Sequence, residues 1–219
     1  MDDGERDCIG GDMLRLCEWI VKFYARYTLL RCARFTNSRS RAEQIGIYTL
    51  ITTCLLAREL ECPAQLGLLV DTMSDIIGRD MAGDETSDRP RDADEPLVAD
   101  EKLRKLAEAL NGLDRFAREV LVFRHIERMD AAAVAKLLHE SREELTARIA
   151  RAEELLAEHL RELPVPGSEP NGSDVPSLLA EFAVSLDADW VHNVGQCALA
   201  YLAGSIAEDT PLSGRANAN

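Results

Sequence analysis

The sequence predicts an all-α protein with two small helical domains, an acidic linker between them and a helical C-terminal tail. Of its 219 residues, 46% are hydrophobic and only 5% are aromatic. Because alanine, leucine, arginine and glutamate dominate, helices are favoured over strands. The charge is uneven: residues 80–101 hold nine acidic and two basic side chains, and residues 164–219 hold seven and one. Two nearly neutral blocks are therefore separated and followed by acidic segments.

The N-terminal block, residues 12–80, is predicted to contain four helices. Apolar residues recur at helical spacing from Leu14 to Tyr24, and a second helix is expected through Leu29 to Phe35. Ser40 begins the capping pattern S-R-A-E, in which Glu43 is the third helical residue. The helix that follows is expected to end at Cys62-Pro63, and AQLGLLVDTMSDIIGRD predicts one more amphipathic helix.

Residues 81–97, MAGDETSDRPRDADEPL, lack apolar periodicity and predict a flexible acidic linker. The central block, residues 98–163, then predicts helices near 101–111, 114–125, 130–138 and 142–162. Asp114 is placed to cap the second of these helices. This block is long enough to close a small apolar core of its own.

Residues 164–174 are rich in proline, glycine and serine and predict a second linker. The tail, residues 175–206, predicts two short helices around Asp187-Ala-Asp189. Its apolar surface is too large for a solvated appendage, so we expect it to dock on the rest of the chain or on a partner. The residues expected to carry this docking are Phe182, Trp190, Val194 and Tyr201.

The composition also argues against several classes of protein. The six cysteines form no C-x-x-C pair, and the spacing of His192 and Cys197 favours helix packing over metal binding, so no metal or cofactor is predicted. The four histidines lie apart and accompany no catalytic motif, so an enzyme is not expected. No apolar run reaches the length of a membrane span and the N-terminus is acidic, which predicts a cytoplasmic protein.

Within the central block, the stretch AVAKLLHESREELTARIARAEELL has the outline of a helix-turn-helix, with the turn at His139–Ser141. Its second helix opens on Glu143 and Glu144, however, and the arginines across residues 142–153 are balanced by glutamates. Neither block is a basic patch. The sequence alone therefore leaves DNA binding open.

The central block resembles the fourth region of bacterial sigma factors of the ECF class. That region has the pattern L-x-x-L-x-x-x-x-R-E-V-L-x-L-R, followed by (I/V)-A-x-x-L-G-(I/V)-S-x-G-T-V-K-S-R-(L)-x-R-A-R-x-x-L. The sequence LNGLDRFAREVLVFRHIERMDAAAVAKLLHESREELTARIARAEELLAEHL aligns with it without gaps. The residues kept are Leu110, Leu113, Arg118, Glu119, Val120, Leu121, Arg124, Val134, Ala135, Leu138, Ser141, Arg148, Arg151 and Ala152.

The N-terminal block is similar to the second region of the same family, whose A-E-D-L-V-Q-E surface binds the RNA polymerase clamp helices. Ala42 and Glu43 are retained, whereas Gln44, Gly46, Ile47 and Tyr48 depart from the pattern. The resemblance implies a face that binds a protein partner, made of Glu43, Gln44, Ile47 and Tyr48. An ordinary amphipathic helix is the alternative explanation of this segment.

The resemblance also implies DNA contacts by Arg142, Thr146, Arg148 and Arg151, on the second helix of the helix-turn-helix. The alternative is a solvated surface on which Arg148 pairs with Glu144 and Arg151 pairs with Glu154. Glu144 stands where the family carries a threonine against the DNA, and its charge repels phosphate.

Two functions follow as hypotheses. The first is a sigma-factor-like regulator that binds core RNA polymerase and directs it to promoter DNA. The second is a sigma mimic, a protein-binding module that engages an anti-sigma-type protein or another partner and does not bind DNA.

Overall fold

A computed structural model describes residues 13–60, 65–83, 95–162 and 175–209. Within these ranges the chain is helical and holds no strand, only one isolated bridge between Ser38 and Pro96. The predicted all-α fold is therefore confirmed. The elements are α1 (Met13–Cys32), α2 (Arg39–Ala57), α3 (Leu66–Gly83), α4 (Glu101–Gly112), α5 (Arg115–Leu121), the π-helical segment Val122–Ile126, α6 (Ala131–Leu138), α7 (Arg142–Glu162), α8 (Val175–Ser185) and α9 (Ala188–Asp209).

The described part of the N-terminal block contains three helices, so the prediction of four was wrong. α1 runs without a break to Cys32, because no proline or glycine interrupts it and residues 27–32 are all buried in the core. The capping residue of α2 is Ser38 and not Ser40: the Ser38 hydroxyl accepts a hydrogen bond from the Arg41 amide at 3.1 Å. Cys62-Pro63 lies outside the described residues.

The predicted linker 81–97 is shorter than its sequence suggested. α3 continues to Gly83, and residues 84–94 lie outside the described part of the chain. Residues 95–98 lie against the turn before α2, where the Leu97 amide donates to the Asn37 carbonyl at 2.6 Å and the Arg39 amide donates to the Glu95 carbonyl at 2.9 Å. Leu97 and Val98 are buried. This end of the linker is anchored by these backbone bonds and by the burial of Leu97 and Val98 in the core.

The helices of the central block follow the predicted pattern closely. Aspartates cap three of them, since the side chains of Asp100, Asp114 and Asp130 each accept hydrogen bonds from amides in the first helical turn. α7 packs on α4, α5 and α6. The apolar side chains between these helices belong to the same core as those of the N-terminal block, so the prediction that the central block closes a core of its own was wrong. The π-helical segment after α5 was not predicted, because nothing in its composition distinguishes it from α-helix.

The tail connects the two blocks. α8 packs on the π-helical segment, α4 and α7, whereas α9 packs on α1 and α2. The second tail helix is long rather than short, and Asp187 caps it by accepting from the amides of Asp189 and Trp190. The described elements therefore share one continuous hydrophobic core.

A buried polar network also joins the two blocks. Arg31 of α1 lies 3.2 Å from Asp71 and 2.6 Å from Asp75 of α3, and it donates to the Asn111 side chain of α4 at 2.8 Å. Arg118 of α5 reaches Asp71 at 3.4 Å. Each charge has an opposite charge beside it, which reduces the cost of burial. These pairs fix how α4 and α5 sit against α1 and α3.

Candidate protein-binding and nucleic-acid-binding surfaces

The turn between α6 and α7, residues 139–141, is made without glycine. His139 adopts a left-handed backbone, with φ 57° and ψ 41°, and ends α6. The Glu140 amide donates to the Ala135 carbonyl at 2.9 Å, which satisfies a carbonyl at the helix end. Ser141 and Glu144 then form a reciprocal capping box: the Ser141 amide donates to the Glu144 carboxylate at 3.0 Å, and the Glu144 amide donates to the Ser141 hydroxyl at 3.2 Å.

The first three turns of α7 present the candidate DNA-binding side chains. Arg142, Thr146 and Arg151 are exposed, and the Thr146 hydroxyl donates back to the Arg142 carbonyl at 2.8 Å. Leu145 is buried and anchors this end of α7 in the core. The surface is therefore accessible and held in a fixed orientation.

The arginines of this surface are paired with glutamates. Arg148 makes two bonds to the Glu140 carboxylate, at 2.7 and 3.0 Å, and its guanidinium lies 5.3 Å from the centre of the Phe116 ring. Arg151 lies 3.1 Å from Glu154, as the alternative explanation predicted. The expected pair of Arg148 with Glu144 is wrong, because Glu144 turns back to cap α7 and Glu140 reaches Arg148 from the preceding turn.

The capping box also keeps the Glu144 carboxylate charged at the start of α7. Hydrogen bonds from the amide and hydroxyl of Ser141 lower the pKa of Glu144, so this carboxylate stays ionised near neutral pH. Glu143 is exposed beside it. Two carboxylates therefore occupy the helix end that would approach phosphate, and they oppose the attraction of Arg142.

The candidate protein-binding face on α2 is divided by the tail. The Trp190 indole N–H donates to the Glu43 carboxylate at 3.1 Å, and Ile47 is half-buried against the core. Gln44 and Tyr48 lie on the other flank, where Tyr48 is 56% exposed. The structure thus brings the four predicted residues together on one helix but leaves only Gln44 and Tyr48 open.

α9 approaches α2 closely where a glycine replaces the larger residue of the sigma pattern. A Cβ added at Gly46 would lie 3.5 Å from Val194 Cγ1 of α9 and 3.0 Å from Leu29 Cδ2 of α1. The Arg39 guanidinium at the start of α2 lies 4.8 Å from the Trp190 ring centre and 3.4 Å from the Asp187 carboxylate. The departure from the family pattern at Gly46 therefore forms part of the seat of the tail.

Three of the four residues expected to dock the tail are buried: Phe182, Trp190 and Val194. Tyr201 is 60% exposed, whereas Ala198 and Leu202 on the same helix are fully buried. Two acidic residues of the tail pair with different blocks. Glu181 pairs with Lys102 of that block at 3.2 Å, whereas Asp187 pairs with Arg39 of the N-terminal block.

Sequence reasoning missed Glu119, a buried carboxyl where α5 meets α3. Its Oε2 pairs with Arg115 at 3.1 Å, and its Oε1 lies so close to α3 that a Cβ added at Gly67 would overlap it. Burial is the main cause that raises the pKa of Glu119 to about 7, although Arg115 opposes the shift. The sequence contains one sign of this buried carboxyl, a glutamate inside the largely apolar stretch AREVLVF. In the comparison with the sigma pattern, Glu119 counted only as a shared residue.

Within the described residues, no group of three or more histidine, cysteine, aspartate or glutamate side chains is arranged to hold a metal ion. Among the described helices, none is both long and apolar enough to cross a bilayer. Comparisons with protein-family models, with curated proteins and with solved structures give no match.

Proposed function

We propose that this chain is a sigma-factor-like transcription regulator that binds core RNA polymerase through α2 and presents α7 to promoter DNA. The observation that carries the proposal is the helix-turn-helix of α6 and α7, with its left-handed turn at His139 and its capping box at Ser141 and Glu144. The exposed start of α7, with Leu145 anchored below it, has the accessibility that entry into a major groove requires.

The exposed face of α2 supports the proposed binding to core RNA polymerase. Glu43, Gln44, Ile47 and Tyr48 follow one another at i, i+1, i+4 and i+5, which places them on one side of the helix. Tyr48 is a large aromatic group left exposed there, and such groups are enriched where proteins bind one another.

The sigma mimic is the second candidate, and the charges on α7 favour it. Arg148 is held by Glu140, Arg151 by Glu154, and Glu143 and Glu144 stand at the exposed helix end. A protein-binding module would retain the α2 face and the fold while lacking the net positive charge that DNA binding requires.

One experiment separates the two. Purified protein is mixed with core RNA polymerase of the source organism and a fluorescent duplex, and the mixture is resolved by size-exclusion chromatography at low salt. Sigma-type function predicts that protein, polymerase and duplex elute together. A failure to bind polymerase at micromolar concentration contradicts the proposal and indicates the mimic, whereas polymerase bound without duplex recruitment contradicts the promoter-DNA half of the proposal.

A further inference from the structure

Helix α9 occupies the flank of α2 that the proposed partner would need. A partner that contacts Glu43, Gln44, Ile47 and Tyr48 together must reach both flanks, yet Trp190 is bonded to Glu43 and Val194 lies over Gly46. Only the flank of Gln44 and Tyr48 is open. Full engagement of α2 therefore requires α9 to leave.

The contacts of α9 also indicate which chemical groups a partner needs in order to replace it on α2. α9 supplies an N–H donor to Glu43, a carboxylate and an aromatic face to Arg39, and small aliphatic side chains to the surface of α1 and α2. A partner helix with an apolar ridge, an N–H donor and an acidic group beside it would satisfy the same residues. We propose that α9 is a built-in competitor for the α2 face, which a helical element of core RNA polymerase displaces; this inference rests on the function proposed above.

The seat of α9 is apolar at its centre and polar at its edges. Apolar residues hold it, while the polar contacts at its edges are partly solvated: the Asp187 side chain is 55% exposed. Ion pairs that are this exposed contribute little to stability. A groove of about 470 Å³ also separates α1 from α9, lined by polar residues such as Lys22, Arg26 and His192 together with Val21. The two helices are thus closely packed at some positions and apart at others.

Gly195 is the closest of these contacts and provides the test. A Cβ added there would lie 2.5 Å from Val21 Cγ1 of α1, so Gly195→Leu forces α9 away from α1. Gly204 lies on the same helix with nothing within 4 Å of an added Cβ, and Gly204→Ala is the matched control. Trp190→Phe is a milder second variant, since it removes the hydrogen bond to Glu43 and keeps an aromatic ring.

The experiment measures two properties of each full-length protein. Hydrogen exchange of the α9 amides reports whether the tail has opened, and fluorescence anisotropy with labelled protein gives its affinity for core RNA polymerase. We expect faster exchange in Gly195→Leu and Trp190→Phe. Because only the open form binds fully, affinity for polymerase should rise by about tenfold or more in Gly195→Leu, less in Trp190→Phe, and not at all in Gly204→Ala.

The possible failures differ from one another. If the wild-type and opened proteins bind polymerase with equal affinity, α9 does not compete with polymerase for α2. The proposed function is unaffected by that result. No affinity in any variant, with α9 shown to be open, overturns the proposed function and this inference with it. Unchanged exchange in both Gly195→Leu and Trp190→Phe overturns the claim that these residues hold α9 in place.

Discussion

At the scale of single residues, the turn between α6 and α7 depends on a histidine in a conformation that glycine adopts more easily. A left-handed backbone brings the Cβ of an L-residue close to a carbonyl oxygen and costs about 1–2 kcal/mol. His139 tolerates that cost because the hydrogen bonds of the turn and the capping box on α7 fix the backbone around it. The structural position of this turn was predicted from the sequence, but its strain was not.

His139→Gly should raise the free energy of unfolding by roughly 0.5–1 kcal/mol, because glycine removes the steric cost of the left-handed turn. Urea denaturation measures the change. Lys136→Gly, on the exposed side of α6, is the control and should lower the free energy by about 1 kcal/mol. A destabilised His139→Gly variant would mean that the histidine side chain itself stabilises the turn.

Glu119 makes stability depend on pH. Its pKa of about 7 in the folded chain lies above the ordinary value, so the folded state favours the protonated form. The resulting stability is complete below about pH 4.5 and is lost as the pH rises through about 7. Glu119→Gln should therefore leave stability near pH 4.5 almost unchanged and raise it at pH 8.5 by roughly 1–3 kcal/mol.

Chemical denaturation of both proteins at pH 4.5 and pH 8.5 checks this prediction. Glu108→Gln, at an exposed position of α4, serves as the control and should alter neither value appreciably. If Glu119→Gln is instead less stable than wild type at pH 8.5, the ion pair with Arg115 outweighs the cost of burying the charge.

At the scale of secondary-structure elements, the sequence predicted the central block well and the N-terminal block less well. Aspartate caps at Asp114 and Asp130 and a regular apolar spacing mark each short helix of the central block. In α1 the apolar surface is wide and no breaker separates Tyr24 from Leu29, so periodicity alone could not show that one helix continues. Ser40 matched a capping pattern, but tertiary contacts of Asn37 and Arg39 with residues 95–97 placed the cap at Ser38.

The arginines of α7 show that sequence-based prediction is limited in the same way at the candidate site. Its helical spacing predicted which arginines are neighbours, yet Glu140, outside the helix, is the residue that pairs with Arg148. Only the path of the turn after His139 brings these two side chains together. A site formed by a non-helical residue cannot be read from helical periodicity.

Glu140→Gln should strengthen binding to duplex DNA, because it frees the Arg148 guanidinium and removes one carboxylate beside it. The measurement is fluorescence anisotropy with a labelled duplex over a range of salt concentrations, where one added phosphate contact steepens the slope of log affinity against log salt by about one. Glu140→Gln combined with Arg148→Ala is the matched control and should lose the gain. Binding that stays undetectable in both would favour the sigma mimic.

At the scale of the whole molecule, the tail connects two blocks that the sequence presented as separate. Its docking was predicted from its apolar content, and Phe182, Trp190 and Val194 are indeed buried. Where it docks could not be predicted, since the contacts of α9 with α1 and of α8 with α4 join residues that are distant in sequence. The network of Arg31, Asp71 and Arg118 likewise depends on how the helices pack.

Removing the tail after Leu163 should lower the melting temperature and increase the binding of a hydrophobic dye, because apolar surface on α1, α2 and α4 loses its cover. A matched pair of point variants tests the same contact in the full chain. Val194→Ala should cost roughly 1–2 kcal/mol, whereas Val184→Ala should cost little, since Val194 is fully buried and Val184 is 73% exposed. Equal stability of these two variants would contradict the docking of α9.

Promoter-specific initiation by the opened protein is the most direct measurement of sigma-type function. Core RNA polymerase of the source organism is incubated with genomic DNA, nucleotides and the Gly195→Leu protein, and the 5′ ends of the transcripts are mapped. The proposed function predicts new start sites that share a common upstream sequence and that are weaker or missing with the wild-type protein. Start sites identical to those of core polymerase alone, with the Gly195→Leu protein bound to the enzyme, would contradict it.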